Sequence, residues 1–121
     1  MASLNKLLQS ISDVMFPDQM GNAIVSLDSH GYDGDTALHV FAWRNDNASA
    51  RALLQAGADP NARGEMEETP LHVAIRNRNA ELVSLLLQFG ADPDLRGEFG
   101  TGRELAVEEG GSIVQLLDSA A

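Results

Sequence analysis

The chain has 121 residues, a formal net charge of −10 and no cysteine, and 44% of its residues are hydrophobic. This length allows one domain. The lack of cysteine excludes a disulfide framework and a thiolate zinc site and fits a reducing compartment, so we expect a cytoplasmic protein. The acidity excludes nucleic acid and anionic membranes as favoured partners, because their phosphates would repel the chain, and it favours a basic protein.

The first predicted element is a helix over residues 3–16, where apolar residues recur at helical spacing at Leu4, Leu7, Leu8, Ile11, Val14 and Met15. Ser3 is placed to cap its start and Pro17 to end it. A second short helix is predicted from Met20 to Leu27. Residues 1–27 would then form a cap over the N-terminal end of the fold. Polar residues interrupt the apolar stretch before it reaches signal-peptide length, and no segment is apolar enough to span a membrane.

From residue 28 onward the sequence repeats itself at an interval of 33 residues. The run T-A-L-H-V from Thr36 recurs as T-P-L-H-V from Thr69, and L-L-Q-A-G-A-D-P recurs as L-L-Q-F-G-A-D-P. A degenerate third copy of the repeat begins near Thr101. A fixed period of this size predicts a stack of small units, each burying an apolar face only against its neighbours. We therefore divide the chain into a cap and three repeats, over residues 1–27, 28–60, 61–93 and 94–121.

Each full repeat is predicted to begin with a short helix that ends at a tight turn. Thr36 and Thr69 are placed to cap the two helices. Pro70 takes the first helical position. The N–H that proline lacks would have no partner within the helix at this position, so no hydrogen bond is lost. The turns after these helices are rich in asparagine and fall at residues 45–47 and 77–79.

A second helix is predicted in each repeat, over residues 48–56 and 80–89. These helices should end at Gly57 and Gly90, because glycine readily adopts the left-handed conformation of a helix C-terminal cap. The segments around the prolines three residues further on are expected to be extended. They should lead into a protruding hairpin turn before the next threonine.

These segments resemble the ankyrin repeat. Its helix-start motif Thr-Pro-Leu-His is complete at Thr69–His72, and its Gly-Ala-Asp ending appears at Gly57–Asp59 and Gly90–Asp92. The resemblance implies an all-α solenoid of stacked helix-turn-helix units with protruding hairpin turns, which binds a protein partner without catalysis. The third copy departs from the pattern, since Gly, Arg and Glu replace Pro, Leu and His at residues 102–104. Such polar changes suit a solvent-facing end of the stack.

The three histidines receive different predictions. The resemblance implies that His39 and His72 bond to the preceding threonine and to a neighbouring backbone carbonyl, which is a structural role. His30 lies in the acidic turn Asp28–Asp35, where carboxylates and one imidazole could attract a cation. This turn lacks the ligand spacing of a calcium loop and the second imidazole of a usual zinc site. Metal or small-ligand binding there is kept as an alternative.

Residue arrangements typical of catalysis are missing from the sequence. It has no glycine-rich phosphate loop, no Ser-His-Asp order and no cysteine nucleophile. Adjacent carboxylates such as Glu67–Glu68 and Glu108–Glu109 point apart on a turn or helix and make poor acid–base couples. We predict neither an enzyme nor a bound cofactor, and a monomer when the chain is free.

The resemblance assigns partner contacts to the exposed flank of each first helix and to the turn tips. The flank positions in this sequence are Trp43, Arg44, Arg76, Asn77, Glu108 and Glu109. The tip positions are Tyr32, Asp33, Asp35, Glu65, Met66, Glu68, Glu98 and Phe99. Trp, Tyr and Arg most often anchor protein interfaces, and the surrounding acidic residues would speed capture of a basic partner.

Two biological roles fit such a surface. The chain acts either as an adaptor or regulator, or as an antagonist of the immunity-protein type that blocks a basic toxin or enzyme. A single acidic domain suits the second role, whereas adaptors usually carry more repeats or further domains. The sequence leaves both roles open.

Overall fold

A computed structural model of the chain describes the backbone of residues 2–119 and the side chains of residues 4–118. Its α-helices are α1 (Ala2–Gln9), α2 (Ser12–Met15), α3 (Ala37–Trp43), α4 (Asn47–Gln55), α5 (Pro70–Arg76), α6 (Ala80–Gln88), α7 (Gly102–Glu109) and α8 (Ile113–Ser119). Two 3-10 turns cover Pro17–Gln19 and Glu65–Glu67, and strands β1 (Arg96–Gly97) and β2 (Gly100–Thr101) pair antiparallel. The architecture is all-α, as the resemblance implied.

The helices stack as pairs in chain order. Helices α3, α5 and α7 form one layer, and each packs against the second helix of its own repeat, α4, α6 or α8. The second helices also pack on one another, and α1 packs on α4. One continuous core runs through the stack, and its most buried side chains include Ile11, Leu38, Leu53, Leu71, Ile75, Leu82, Leu86 and Leu117. Each repeat therefore buries its apolar face against its neighbours.

A threonine and a histidine cap the N-terminal ends of α3 and α5. The backbone N–H of Thr36 donates to His39 Nδ1 at 3.1 Å, and that of Thr69 donates to His72 Nδ1 at 3.1 Å. On the other side of each ring, Nε2 donates to a backbone carbonyl of the next repeat, Glu68 at 2.8 Å and Gly100 at 3.0 Å. The structural role predicted for both histidines is confirmed.

The third repeat keeps the capping geometry with a different side chain. Thr101 N–H donates to Glu104 Oε1 at 3.0 Å, and Glu104 N–H donates to Thr101 Oγ1 at 3.0 Å. The hydrogen bond from the Thr101 backbone N–H is the main cause that lowers the pKa of the Glu104 carboxyl, and the Thr101 side chain adds to it. Arg103 pairs with Asp94 at 2.9 Å and with Asp118 at 3.2 Å. The two polar replacements, Arg103 and Glu104, thus form hydrogen bonds and ion pairs of their own at this end of the stack.

The second helices agree with prediction to within a residue at each end. Gly57 and Gly90 follow α4 and α6 with φ of 105° and 95°, as their capping role required. The expectation of extended chain at Pro60 and Pro93 is wrong, because both prolines lie in turns. Aspartates fold the chain there: Asp59 accepts from Asn61 N–H and Asp92 from Asp94 N–H, each at 2.9 Å.

The N-terminal segment differs from its prediction in two ways. The predicted helix over residues 3–16 is broken, because Ile11 leaves helical geometry between α1 and α2. No helix forms over Met20–Leu27. Gln9 donates to Ala23 O at 2.8 Å and accepts from Val25 N–H at 2.7 Å, so these side-chain bonds replace helical ones. The predicted Ser3 cap lies outside the described side chains.

The N-terminal segment nevertheless packs against the first repeat, because α1 contacts α4. Leu8, Ile11 and Met15 are buried in the common core. Tyr32 N–H donates to Met15 O at 2.8 Å, which fixes the first turn against the cap. The division at residues 27, 60 and 93 stays a prediction.

Candidate protein-binding groove

A groove of about 330 Å³ lies where the ends of α3 and α5 meet the protruding turns of the second and third repeats. The residues that line this groove are Asp35, His39, Trp43, Glu65, Met66, Glu68, Val73, Arg76 and Phe99. Seven of the fourteen predicted contact residues therefore come together in one depression.

The repeat geometry places the apolar side chains of the groove. Trp43 is the last residue of α3, and Met66 and Phe99 occupy equivalent positions of consecutive turns, 33 residues apart. Their exposed fractions are 46%, 49% and 64%. The two turns are joined by a hydrogen bond from Glu98 N–H to Met66 O at 2.9 Å. Three large apolar side chains thus face solvent around one groove.

Arg76, the last residue of α5, is held by Glu68. Its Nε donates to Glu68 Oε1 at 2.9 Å and its Nη2 to Oε2 at 2.6 Å. The hydrogen bonds to Glu68 are the main reason that the pKa of Arg76 is raised. The guanidinium carbon also lies 5.9 Å from the centroid of the Phe99 ring. Glu68 therefore neutralises the charge of Arg76, whose side chain forms part of the groove wall.

Two acidic residues predicted at the turn tips are not exposed. Asp35 and Glu68, which occupy equivalent positions of the first two repeats, are each 5% exposed. Asp35 Oδ1 accepts from Glu65 N–H at 2.8 Å, so it anchors the next turn. The expectation that these two carboxylates project from the tips is wrong, because both are used to join neighbouring segments.

Three carboxylates converge at one end of the groove. One oxygen each from Asp33, Asp35 and Glu65 lies within 4.8 Å of the others. Asp33 Oδ1 also accepts from Asp35 N–H at 3.0 Å. His30, which the sequence grouped with this acidic turn, bonds instead to Gly34 O at 2.6 Å. The cluster is thus formed by aspartates of the first turn and a glutamate of the second, not by the Asp28–Asp35 turn alone.

The profile of the family described as ankyrin repeats matches residues 2–97 in three copies. The chain belongs to the ankyrin-repeat family. No curated protein shows a significant sequence match to it. Ankyrin repeats generally mediate protein–protein interaction and are typically non-catalytic. Within residues 2–119, none of the helices is long and apolar enough to cross a bilayer.

The remaining predicted contacts of this ankyrin-repeat chain lie outside the groove. Asn77 bonds across repeats, donating to Ala42 O at 3.2 Å and to Asn45 Oδ1 at 3.3 Å. Glu109 accepts from Arg78 at 3.1 Å. Asp33 belongs to the carboxylate cluster and accepts from Asp35 N–H. The other members are Tyr32, which is 74% exposed, with Arg44, Glu98 and Glu108, which are also exposed. Asp33, Asn77 and Glu109 thus have structural partners, while the other four are open to solvent.

Three residues that shape the groove of this ankyrin stack were not among the predicted contacts. His39 and Val73 line it, and burial lowers the pKa of the His39 ring. Gly64 lies against His39 and Asp35, where an added Cβ would meet both side chains. The sequence did contain a signal for Gly64, because glycine recurs at residues 31, 64 and 97, at the repeat interval.

Proposed function

We propose that this chain binds one protein partner through the groove, as an adaptor or regulator. The observation that carries the proposal is the convergence of Trp43, Met66 and Phe99 around one depression. Large exposed apolar side chains that cluster, rather than scatter, mark interaction sites, and Trp is a frequent anchor of interfaces. The family supports protein binding in general.

The charge of the chain favours a basic partner, and its lack of cysteine fits a reducing, cytoplasmic setting. The formal net charge is −10, and Asp35, Glu65 and Glu68 line the groove against a single arginine. Acidic groups around an interface speed the encounter with a basic protein and reject acidic ones. The same feature supports a second role, an antagonist that occludes a basic toxin or enzyme.

The binding proposal is tested by photo-crosslinking in the native cell. A benzoylphenylalanine placed at Phe99 should capture the partner, and one placed at Phe89 should not, since Phe89 is an exposed phenylalanine outside the groove. The partner is then purified for affinity measurements. The variant Trp43→Ala/Phe99→Ala should weaken binding by about thirtyfold or more, because a desolvated aromatic anchor is typically worth about 2 kcal/mol.

A matched control separates binding from general loss of apolar surface. Ile24 and Phe89 are also exposed, so Ile24→Ala/Phe89→Ala removes comparable side chains elsewhere. This control should bind with parental affinity, and both variants should keep a melting temperature near the parent's. Loss of binding in the control alone would place the interface outside the groove. A stoichiometric loss of the partner's own activity would identify the antagonist role.

A further inference from the structure

The carboxylate cluster at the end of the groove has no positive partner among the described residues. The ion pairs formed by residues 4–118 do not involve Asp33, Asp35 or Glu65. Their carboxylate oxygens nevertheless lie within 4.8 Å of one another. Like charges held this close repel, and a cation between them would relieve the repulsion.

The groove beside the cluster combines acidic and exposed apolar side chains. Asp35 and Glu65 line it together with Trp43 and Met66, which are each about half exposed. The one arginine in the lining is already paired with Glu68 at 2.6 Å, so it does not neutralise the cluster. A ligand that fits this surface carries a positive charge at one end and an apolar stem behind it. Lysine and arginine side chains have that form.

Resting on the function proposed above, we propose that the groove receives a lysine or arginine side chain from an extended basic segment of its partner. The charged head meets the carboxylates of Asp33, Asp35 and Glu65. The carbon stem lies against Trp43 and Met66. Charge-assisted hydrogen bonds to the carboxylates orient the segment, and burial of the stem adds the apolar part of the affinity.

The carboxylates are better suited to an ammonium or guanidinium group than to a metal ion. Asp33 and Asp35 each already use one oxygen to accept a backbone N–H, at 3.0 Å and 2.8 Å. Calcium takes about six to eight oxygen ligands, so these three side chains would need backbone carbonyls or water to complete its shell. A cationic side chain needs only hydrogen-bond acceptors on one side. Metal binding is kept as an outcome of the test.

Two variants isolate the charge of the cluster. Asp33→Asn/Glu65→Gln removes two charges, and the amide oxygen introduced by Asp33→Asn can still accept the bond from the backbone N–H of Asp35. The control Asp59→Asn/Glu81→Gln removes two charges outside the groove. Asp59 makes the same type of bond, to Asn61 N–H at 2.9 Å. Both variants should fold like the parent by circular dichroism, so a binding difference reports the position of the charges.

The probe is a random peptide library displayed on phage and selected on the parent protein. Enriched peptides should share a lysine or arginine at one position. Replacing that residue by glutamine should weaken binding about tenfold or more, measured by fluorescence of Trp43, the single tryptophan of the chain. Asp33→Asn/Glu65→Gln should weaken the basic peptide equally and leave the glutamine peptide unchanged. The Asp59→Asn/Glu81→Gln control should bind like the parent.

Enrichment of peptides that lack a basic residue, or no enrichment, overturns the proposal. So does calcium binding that Asp33→Asn/Glu65→Gln abolishes, if no basic peptide is selected. The broader function is judged separately with Trp43→Ala, whose binding is measured by calorimetry because this variant lacks the reporter tryptophan. Neutral peptides that depend on Trp43 would refute the cationic segment and leave the groove as the interface. Peptides insensitive to both the cluster and Trp43 would count against the groove itself.

Discussion

Arg76 donates two nearly parallel hydrogen bonds to the carboxylate of Glu68, at 2.9 Å and 2.6 Å. The Glu68 side chain is only 7% exposed, and the backbone carbonyl of the same residue accepts from His39 at 2.8 Å. One glutamate therefore joins the first repeat to the second and fixes Arg76 in the groove wall. The guanidinium is a structural component as well as part of the surface that a partner would meet.

Arg76→Ala should lower the free energy of unfolding by about 1–2 kcal/mol. The substitution leaves the buried Glu68 carboxylate without its charged partner, and such a loss is more costly than removal of an exposed ion pair. Urea unfolding followed by circular dichroism measures the change. Arg51→Ala is the control, because Arg51 lies exposed on α4, and its change should be within about 0.5 kcal/mol.

A double-mutant cycle with Glu68→Gln and Arg76→Met separates the pair from the packing of each residue. Contacting charged side chains typically show a coupling energy of about 1 kcal/mol. A coupling near zero would mean that the two side chains stabilise the fold independently, contrary to their arrangement in the groove.

The repeat pattern predicted where residues lie in the fold better than it predicted what their side chains do. Thr69 and His72 could be assigned from sequence because their partners lie at fixed offsets within and between repeats. Asp35 and Glu68 are equivalent positions, as are Trp43 and Arg76, so the repeat pattern alone does not distinguish the members of either pair. The structure pairs Arg76 with Glu68, whereas Trp43 cannot form an ion pair with Asp35. Equivalent positions of two repeats thus have different roles, depending on which side chain each repeat has there.

The missed features have a common physical cause. Residues 20–27 contain apolar residues that suit a helix, but Gln9 holds the backbone in another form by donating to Ala23 O and accepting from Val25 N–H. The carboxylate cluster joins Asp33 to Glu65 from the next turn. Both depend on contacts between segments that local spacing does not specify. Local propensity is overridden in such cases by tertiary contacts.

His72→Ala should destabilise the fold by about 1–3 kcal/mol. The ring is 2% exposed, and its removal leaves Thr69 N–H and Gly100 O without their partners. Thermal and urea unfolding measure the loss, with His30→Ala as an exposed control. Partner binding under conditions where the variant is folded should be unchanged, since His72 does not line the groove. Lost binding at unchanged stability would contradict the structural role.

His39 should make stability depend on pH. Burial is the largest cause of the lowered pKa of its ring, and the charge of Asp35 opposes it. The unfolded chain, with an ordinary histidine pKa of about 6.5, then binds more protons than the folded chain. The contribution of His39 is therefore present above that pH and decreases as pH falls through the unfolded pKa towards the folded one.

The measurement compares urea unfolding of the parent and His39→Gln across this pH range. Glutamine offers an acceptor and a donor in place of the ring nitrogens but does not titrate there. The parent should lose more stability on acidification than the variant. An equal loss in both proteins would assign the pH dependence to other groups. The ring nitrogens of His39, followed by NMR, should titrate below the ordinary value.

The N-terminal cap should be required for a stable stack. Leu8, Ile11 and Met15 are buried in the common core, and repeats of this kind contact only their neighbours. Deletion of residues 1–16 exposes the apolar face of the first repeat, so we expect aggregation or a large fall in melting temperature. A milder test is Ile11→Ala, which should cost about 2–4 kcal/mol because the side chain is fully buried. Val14→Ala, at a 43% exposed position on α2, should change stability little. A truncated chain that remains monomeric and as stable as the parent would refute the cap assignment.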